Sequence, residues 1–557
     1  MDILRRLRSR ISPEGHRYRP IPSEMAVAPV VGALVPSRAA FRLHLLCGFF
    51  ALASFVWGYN IGILATVYVH PGFRKALHKP NSSQTGLITA IYYLGTWISY
   101  LFLSHPAADR LGRRWAAFTG VFVTLVGAAL QAGAREPGAY AMMIVGRIVC
   151  GLGLAVVSTA VPLYQSECAP AKERGRYVVM NHIGLVTGLA VAFWVGYGFS
   201  GWNSANGNYY GWRLSIVVQY IPAFIFMIGV PFCPETPRWL VENGYMDRAQ
   251  ASLAYLRDAD PTSDEVTIEL EDIQSSVAAH KAAPESSWTV LFTHKPLFRR
   301  LWRAALLQFM AQMCGNTAMK YYLPSIFSSL GIEHRLTLLI SGIESTLKIG
   351  CTIIEMMIID KVGRRTTLVV GCVVMSIALL INGALPLAYP KNTNHAADYA
   401  CIVFIFFYTF GYSIGFGPAA WVYGSEVRSS PPHMAQILTK QIFPTNLRAR
   451  GLNFAASGGA VGSIIAAQTW PVGMQNIGSK TYFVFMAINL VSAVVRTHPL
   501  LTIIIFAYPE TKRRSLEDMD VLFGDYHSDR NLVRGDSQSD AHPEEINVPH
   551  KAARDSA

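Results

Sequence analysis

Asp109-Arg-Leu-Gly-Arg-Arg114 and Asp360-Lys-Val-Gly-Arg-Arg365 are one motif written twice in a single chain. Each copy falls between two long apolar runs, so each reads as a tight, charged reversal between helices. Two further pairs recur in the same order. Pro234-Glu-Thr-Pro-Arg238 is matched by Pro509-Glu-Thr-Lys-Arg513, and Ser166-Glu167 with Arg174-Gly175 is matched by Ser425-Glu426 with Arg450-Gly451. Loop motifs repeated in order are the mark of a parallel duplication. In a membrane protein this predicts two bundles related by an axis along the membrane normal, with a site near the midplane between them.

The composition agrees. The 557 residues are 52% hydrophobic and 15% charged, where a soluble domain carries roughly 25% charged residues. Mean hydropathy is +0.29. A soluble multidomain enzyme and a disordered chain are both excluded as classes. A net charge of +13 would suit nucleic acid, but so apolar a chain places that charge in loops and tails, and no nucleic-acid partner is expected.

Apolar runs long enough to cross a bilayer number twelve: 45–67, 86–104, 115–134, 139–164, 178–200, 213–233, 301–327, 336–358, 366–388, 398–425, 451–475 and 480–508. The expected fold is an all-α membrane protein of two six-helix bundles. The divisions are a tail over 1–44, a first bundle over 45–233, a middle loop over 234–300, a second bundle over 301–508 and a tail over 509–557. In the middle loop, Thr262 and Glu265 read as a capping box. Val266, Leu270, Ile273 and Val277 follow at helical spacing.

Lys and Arg set the orientation. Eight Arg precede the first span, and Arg110 to Arg114, Lys172 to Arg174, Arg238, Lys361 to Arg365 and Arg448 to Arg450 follow the even-numbered spans. Both termini are therefore expected in the cytoplasm, which places the Asn81-Ser82-Ser83 glycosylation sequon outside. The eight cysteines lie singly, with no Cys-x-x-Cys pair. No metal site, cofactor, phosphate loop or nucleophile motif is read, so an enzyme is not expected.

The ordered motifs closely resemble those of the sugar porter family of the major facilitator superfamily, over most of 45–520. They are Gly146-Arg147-x-x-x-Gly151-x-Gly153, Pro162-Leu-Tyr-Gln-Ser-Glu167, Pro234-Glu-Thr-Pro-Arg-Trp-Leu240, Tyr321-Tyr322-x-Pro324, Gly417-Pro418-x-x-Trp421 and Pro509-Glu-Thr-Lys-x-Arg-Ser515. The style is fungal. The resemblance implies transport of a sugar, expected to be a monosaccharide, across the plasma membrane by alternating access. Polyol or polyhydroxy-acid (quinate-type) transport and a non-transporting sugar sensor are the alternatives. The implied partners are the small-molecule substrate, the bilayer and, in coupled members, protons.

The resemblance also implies residue roles. Asp109, Arg113, Arg114, Arg147, Glu167, Arg174, Glu235, Asp360, Arg364, Arg365, Glu426 and Arg448 are expected to form a cytoplasmic charge network that locks the bundles together, with Asp109 and Asp360 able to cap the following helices or to pair with Arg. Gln308, Gln312, Asn316, Thr317 and Tyr322 on span seven, Trp421 on span ten and His182 on span five are expected to hold the substrate. Asn60 stands where proton-coupled members carry Asp. An amide does not take up and release a proton, so facilitated diffusion is expected ahead of proton symport. Glu344 and Lys348, four apart on one face, are expected to pair.

Several features depart from the family. Ala311 replaces one of a pair of Gln residues, and Ser457-Gly-Gly-Ala460 replaces Ser-Asn-Trp, a smaller wall expected to favour a bulkier or different polyol. Ser425-Glu426 is separated from Ile442-Phe-Pro-Thr445 by 427–441. Removing those residues rejoins a family-like sequence and brings the Glu-to-Gly distance from 25 to 10, near the 8 of the first half. The segment reads as a retained intron. Arg496-Thr-His-Pro499 places charge at mid-membrane depth, which is costly.

Overall fold

In a computed structural model of the chain, residues 37–170, 174–202, 204–282, 292, 295–362, 364–390, 393–417 and 448–493 are described. Their regular structure is helical, with no strand among the described residues. Trp421, Glu426, the 427–441 segment, Arg496 to Pro499 and the last repeat at 509–513 lie outside them, as do the side chains of Asp360, Arg364, Arg365 and Arg448.

The first half begins with α1 (Ser37–Val69), followed by a short α2 (Pro71–Ala76). Helices α3 (Ser82–Phe102) and α4 (Ser104–Leu111) form one pass bent by 52°. Then come α5 (Arg113–Ala132), α6 (Ala139–Cys168) and α7 (Arg174–Ser200), and a sixth pass of α8 (Ala205–Val217), α9 (Tyr220–Gly229) and a 3₁₀ turn. Three connecting helices follow: α10 (Pro237–Glu242), α11 (Met246–Arg257) and α12 (Asp264–Ala282). The second half comprises α13 (Lys295–Met313), α14 (Asn316–Ser329), α15 (His334–Val362), α16 (Arg364–Ala388), α17 (His395–Gly415), α18 (Arg448–Ile477) and α19 (Lys480–Ala493).

Among the described residues, eight helices are long and apolar enough to cross a membrane, and the bent pair makes a ninth. The other three passes fall short for identifiable reasons. Pass seven is split into α13 and α14 at Cys314-Gly315, α18 is diluted by Ser, Gly and Gln, and only 14 residues of α19 are described. Pass one starts at Ser37, eight residues before the apolar run. Its first turns carry Arg42, which meets Asp258 at 2.6 Å beyond α11.

Close helix crossings replace bulky packing. A Cβ on Gly58 would fall 1.8 Å from the Leu185 carbonyl oxygen, so α1 and α7 touch backbone to backbone. Small residues permit this approach in membrane helix pairs. Asn81 of the sequon is the N-cap of α3. It accepts from the Gln84 N–H at 2.8 Å, while the Gln84 side chain accepts from the Asn81 N–H at 2.9 Å.

The connecting helices pack as a small cluster on one end of the bundle. Val266, Leu270 and Val277 are buried against Leu240, Val241 and Leu253. Helix α12 starts one residue later than the Thr262 box predicts, with the Ser263 carbonyl accepting from the Thr267 N–H. Arg257 holds Glu269 through two bonds of 2.7 and 2.8 Å and donates to the Cys168 carbonyl at the end of α6.

The halves meet along two seams. Helix α3 packs on α18, with Gln468 donating to the Ser83 carbonyl at 3.3 Å, and Tyr100 and Ala155 meeting Ala456. Helix α7 packs on α15, where the Trp194 indole N–H donates to Thr346 Oγ1 at 2.9 Å.

Candidate functional site

Two polar clusters stand out, one at the end bearing the connecting helices and one inside. The end cluster is built on Gly112, whose φ of +90° suits the turn between α4 and α5. A Cβ there would fall 2.5 Å from Glu235 Oε2, so glycine admits the carboxylate. Glu235 Oε1 accepts the backbone N–H of Arg113 at 3.1 Å and of Arg114 at 3.3 Å. Those are free N–H groups of the first turn of α5, and a carboxylate there satisfies both the donors and the helix dipole. Asp109 was expected to cap the following helix or to pair with Arg, and it lies 3.9 Å from the Arg113 guanidinium rather than at the helix start. Its other oxygen lies 2.8 Å from His105, and the Gly112 turn brings the Pro234 segment closer to the helix start.

Arg113, only 5% exposed, is the hub. Its guanidinium reaches Glu167 at 3.0 Å, Glu242 at 3.4 Å and Asp109 at 3.9 Å. Glu167 also accepts from the Thr236 hydroxyl at 2.7 Å, and Arg114 lies 3.7 Å from Glu235. Burial pushes the Glu235 carboxyl up, against the N–H bonds from Thr236 and Arg114 and the charges of Arg114 and Arg113. The expected members Asp109, Arg113, Arg114, Glu167 and Glu235 are thus brought together. Arg174 stands exposed at the start of α7. Glu242 and Thr236 belong to the cluster without having been singled out; Thr236 is the third residue of the Pro234 motif and Glu242 lies one turn past Arg238. All its described members belong to the first half and its connecting helices.

Arg147 does not belong there, and its assignment to the network is corrected. It lies in α6 two turns from the opposite end, with no exposed surface. Its Nη1 donates to Asn60 Oδ1 at 2.9 Å and its Nη2 to the Tyr321 hydroxyl at 3.4 Å, and its guanidinium lies 4.3 Å from the Tyr92 ring centre. Asn60 in turn donates to Gln219 at 3.2 Å. The motif's glycines, which seat α6 against α3 and α5, fix the depth of Arg147. None of its described partners is a carboxylate.

The inner cluster sits at the break in pass seven. Asn316 donates to the Tyr412 hydroxyl at 2.7 Å and to Gln312 at 3.3 Å. Thr317 donates to Gln312 at 3.2 Å and lies 3.3 Å from the Ser463 hydroxyl. Gln308, buried, lies one turn before Gln312 on the same helix. Tyr322 is set apart: its hydroxyl bonds Thr89 and the Ala467 carbonyl, each at 3.0 Å, and its ring stacks on Tyr68. It thus ties the halves together one turn beyond the amide group. His182 is half-buried on α7, within electrostatic reach of Lys320 and Lys348.

One expectation fails here. Glu344 and Lys348 form no ion pair within 4 Å. Thr409 and Ser345 donate to the Glu344 carboxylate, and the Lys348 ammonium lies 5.4 Å from the Tyr412 ring centre. In the small wall at 457–460, Gly458 crosses α13 closely while a Cβ on Gly459 would stand 3.5 Å or more from Gln308. A Cβ on Gly458 would fall 2.5 Å from the Ala305 carbonyl oxygen, so α13 fills the space there. Tyr412, Thr409 and Ser463 were missed, although each is a polar residue in an apolar run. Among the described residues no group of three His, Cys, Asp or Glu side chains is arranged to hold a metal.

A bundle of twelve passes in two duplicated halves, with amides and hydroxyls facing one another at mid-depth, defines a membrane transporter. The chain belongs to the sugar (and other) transporter family, whose pattern matches residues 46–523. It is 30% identical to MFS-type transporter criB of Aspergillus cristatus over 91% of this chain and 99% of that one. It is 27% identical to a probable quinate permease of Aspergillus fumigatus, over 87% of this chain and 88% of the relative. It is 28% identical to a high-affinity glucose transporter of Kluyveromyces lactis, over 86% and 84%. In structure it resembles the xylose transporter XylE from E. coli in a partially occluded inward-open conformation. The TM-score is 0.69 at 21% identity, over 85% of this chain and 99% of that one. The fold is that of the major facilitator superfamily, and the chain is a multi-pass membrane protein.

Proposed function

We propose that this sugar transporter moves a sugar or polyol by alternating access and facilitated diffusion, without proton coupling. The observation that carries the uncoupled reading is the pairing of Arg147 with Asn60 at 2.9 Å. Arg147 is always charged, and its partner is an amide with no proton to exchange. A carboxylate at that position would gain and lose a proton against the arginine as the cycle turns; Asn60 has no such alternation.

Gln308, Gln312, Asn316 and Thr317 are the substrate's hydrogen-bond partners in this reading, with His182 facing them and Trp421 stacking from pass ten. A buried set of amides and hydroxyls discriminates strongly, because a wrong ligand leaves it unpaired. Tyr322 acts on the seam between the halves. The cluster around Arg113 and Glu235, with its counterpart at Asp360, Arg364, Arg365, Glu426 and Arg448, opens and closes the cytoplasmic end. The excess of Lys and Arg in the loops after the even-numbered passes supports cytoplasmic termini, with the protein read as residing in the plasma membrane. The two bundles are 45–233 and 301–508, joined by the 234–300 loop.

Labelled-substrate uptake in a transporter-deficient yeast, with and without a protonophore, tests the mechanism. Uptake that survives the protonophore supports it. Uptake abolished by the protonophore, with external alkalinisation on substrate addition, refutes it.

A further inference from the structure

Pass seven turns at one carbonyl. Helix α13 ends at Met313, and Gly315, at a φ of +107°, leads the chain into α14. The Gly315 N–H closes on the Gln312 carbonyl at 3.3 Å, and the Met319 N–H meets the Gly315 carbonyl at 3.1 Å. The Cys314 carbonyl lies between these two patterns. A helix-end acceptor of this kind takes its partner from outside the helix.

It has two such partners. The Tyr408 hydroxyl of α17 donates to it at 3.1 Å, and Asn489 Nδ2 of α19 donates at 2.9 Å. Both side chains are buried, Asn489 with no exposed surface. The same Asn489 nitrogen also donates to the Phe485 carbonyl of its own helix at 2.9 Å. Carbonyls only accept, so the two of them fix which end of the amide faces the break. A Cβ on Gly315 would fall 3.3 Å from the Tyr408 hydroxyl, so glycine lets that hydroxyl approach.

Beyond Gly315 the contacts of α14 divide. Its first turn stays with the second half, through Asn316 on Tyr412 and Thr317 on Ser463. Its next turn reaches the first half, with Tyr321 accepting from Arg147 and Tyr322 donating to Thr89. Hinges are a few element-terminal residues that absorb the backbone change. Such a change is a rotation rather than a slide only where the segment before the hinge is anchored.

We propose that Tyr408 and Asn489 are positioning residues of the pass-seven hinge. They anchor the Cys314 carbonyl, so that α14 rotates about Gly315 while Gln308 and Gln312 on α13 keep their places. This rests on the transport reading above and adds to it two residues that act through Cys314 rather than on the substrate. A carbonyl oxygen has two lone pairs, and each donor takes one. Either donor alone keeps the anchor. Loss of both leaves a buried acceptor unmade and lets the amides on the two sides of the break drift apart.

Hydrogen exchange of the full-length protein, read by mass spectrometry on peptides across 310–320, reports the anchor itself. Uptake of labelled glucose, myo-inositol and quinate into proteoliposomes reports its effect. Tyr408→Phe and Asn489→Leu each raise exchange at 314–319 two- to fivefold and keep KM within threefold of wild type. The double variant raises exchange there at least tenfold, with peptides of α18 unchanged. It raises KM for the transported probe at least tenfold, with the maximal rate within threefold. A double variant at wild-type exchange and KM overturns the proposal, and so does faster exchange throughout the second half, which marks a general loss of packing. Should the double variant not fold, a local rise in the single variants supports the anchor, and single variants at wild-type exchange overturn it. Local exchange as expected, with no uptake of any probe by wild type, upholds the anchor and refutes the transport reading alone.

Discussion

Arg147 and Asn60 meet 2.9 Å apart in the interior of the first half, the guanidinium wholly buried and its partner uncharged. A buried guanidinium that loses a hydrogen-bond acceptor is left with the Tyr321 hydroxyl and the Tyr92 ring, at a cost of about 1–3 kcal/mol. Asn60→Leu keeps the volume and removes the acceptor. It should lower the melting temperature of detergent-solubilised protein by several degrees, whereas Asn60→Asp should hold or raise it.

Asn60→Asp should also change the transport cycle. A carboxylate beside Arg147 supplies a group that exchanges a proton when the pair separates. Wild-type flux of a neutral probe should stay flat between pH 5 and pH 7, and flux through the variant should become pH-dependent and sensitive to a protonophore. A flat profile for the variant would refute the role given to this position.

Arg113 joins three carboxylates at 5% exposure. Arg113→Ala leaves Glu167 without its cation and should cost about 3–5 kcal/mol, read as loss of folded protein by fluorescence-detected size exclusion. Arg113→Lys keeps the charge but not the fork geometry and should recover part of the loss.

Glu235 carries a testable pH signature. Burial raises its carboxyl above the ordinary range, so the folded state binds the proton more tightly than the unfolded chain. Stability from this group is full below the unfolded value and falls as pH rises through the folded one. Glu235→Gln keeps an acceptor for the Arg113 and Arg114 N–H groups and removes the titration. Its melting temperature should therefore fall less than wild type between pH 4.5 and pH 7.

Adjacent glycines on α18 should behave differently. A Cβ on Gly458 meets the Ala305 carbonyl oxygen at 2.5 Å, while one on Gly459 finds its nearest neighbours at 3.5 Å. Gly458→Ala should lower surface expression or flux at least fivefold, and Gly459→Ala should stay within twofold of wild type, by surface labelling and uptake.

The sequence by itself determined the class of fold and the character of its parts. Apolar runs must be buried in lipid, and repeated Gly-Arg-Arg turns must reverse the chain, so a duplicated twelve-pass bundle follows from local chemistry alone. The meeting of Arg113, Glu167 and Glu235 was legible because each lies in a repeated motif at the same end. Tertiary structure decided what periodicity does not encode. Whether Arg147 sits among end charges or deep beside Asn60 depends on the depth at which α6 crosses α3. Whether Glu344 holds Lys348 depends on Thr409, which reaches it from another helix. Helical spacing tells which residues share a face. Only the packing of the helices tells what that face meets, and a buried polar group bonds whichever partner the packing brings within reach.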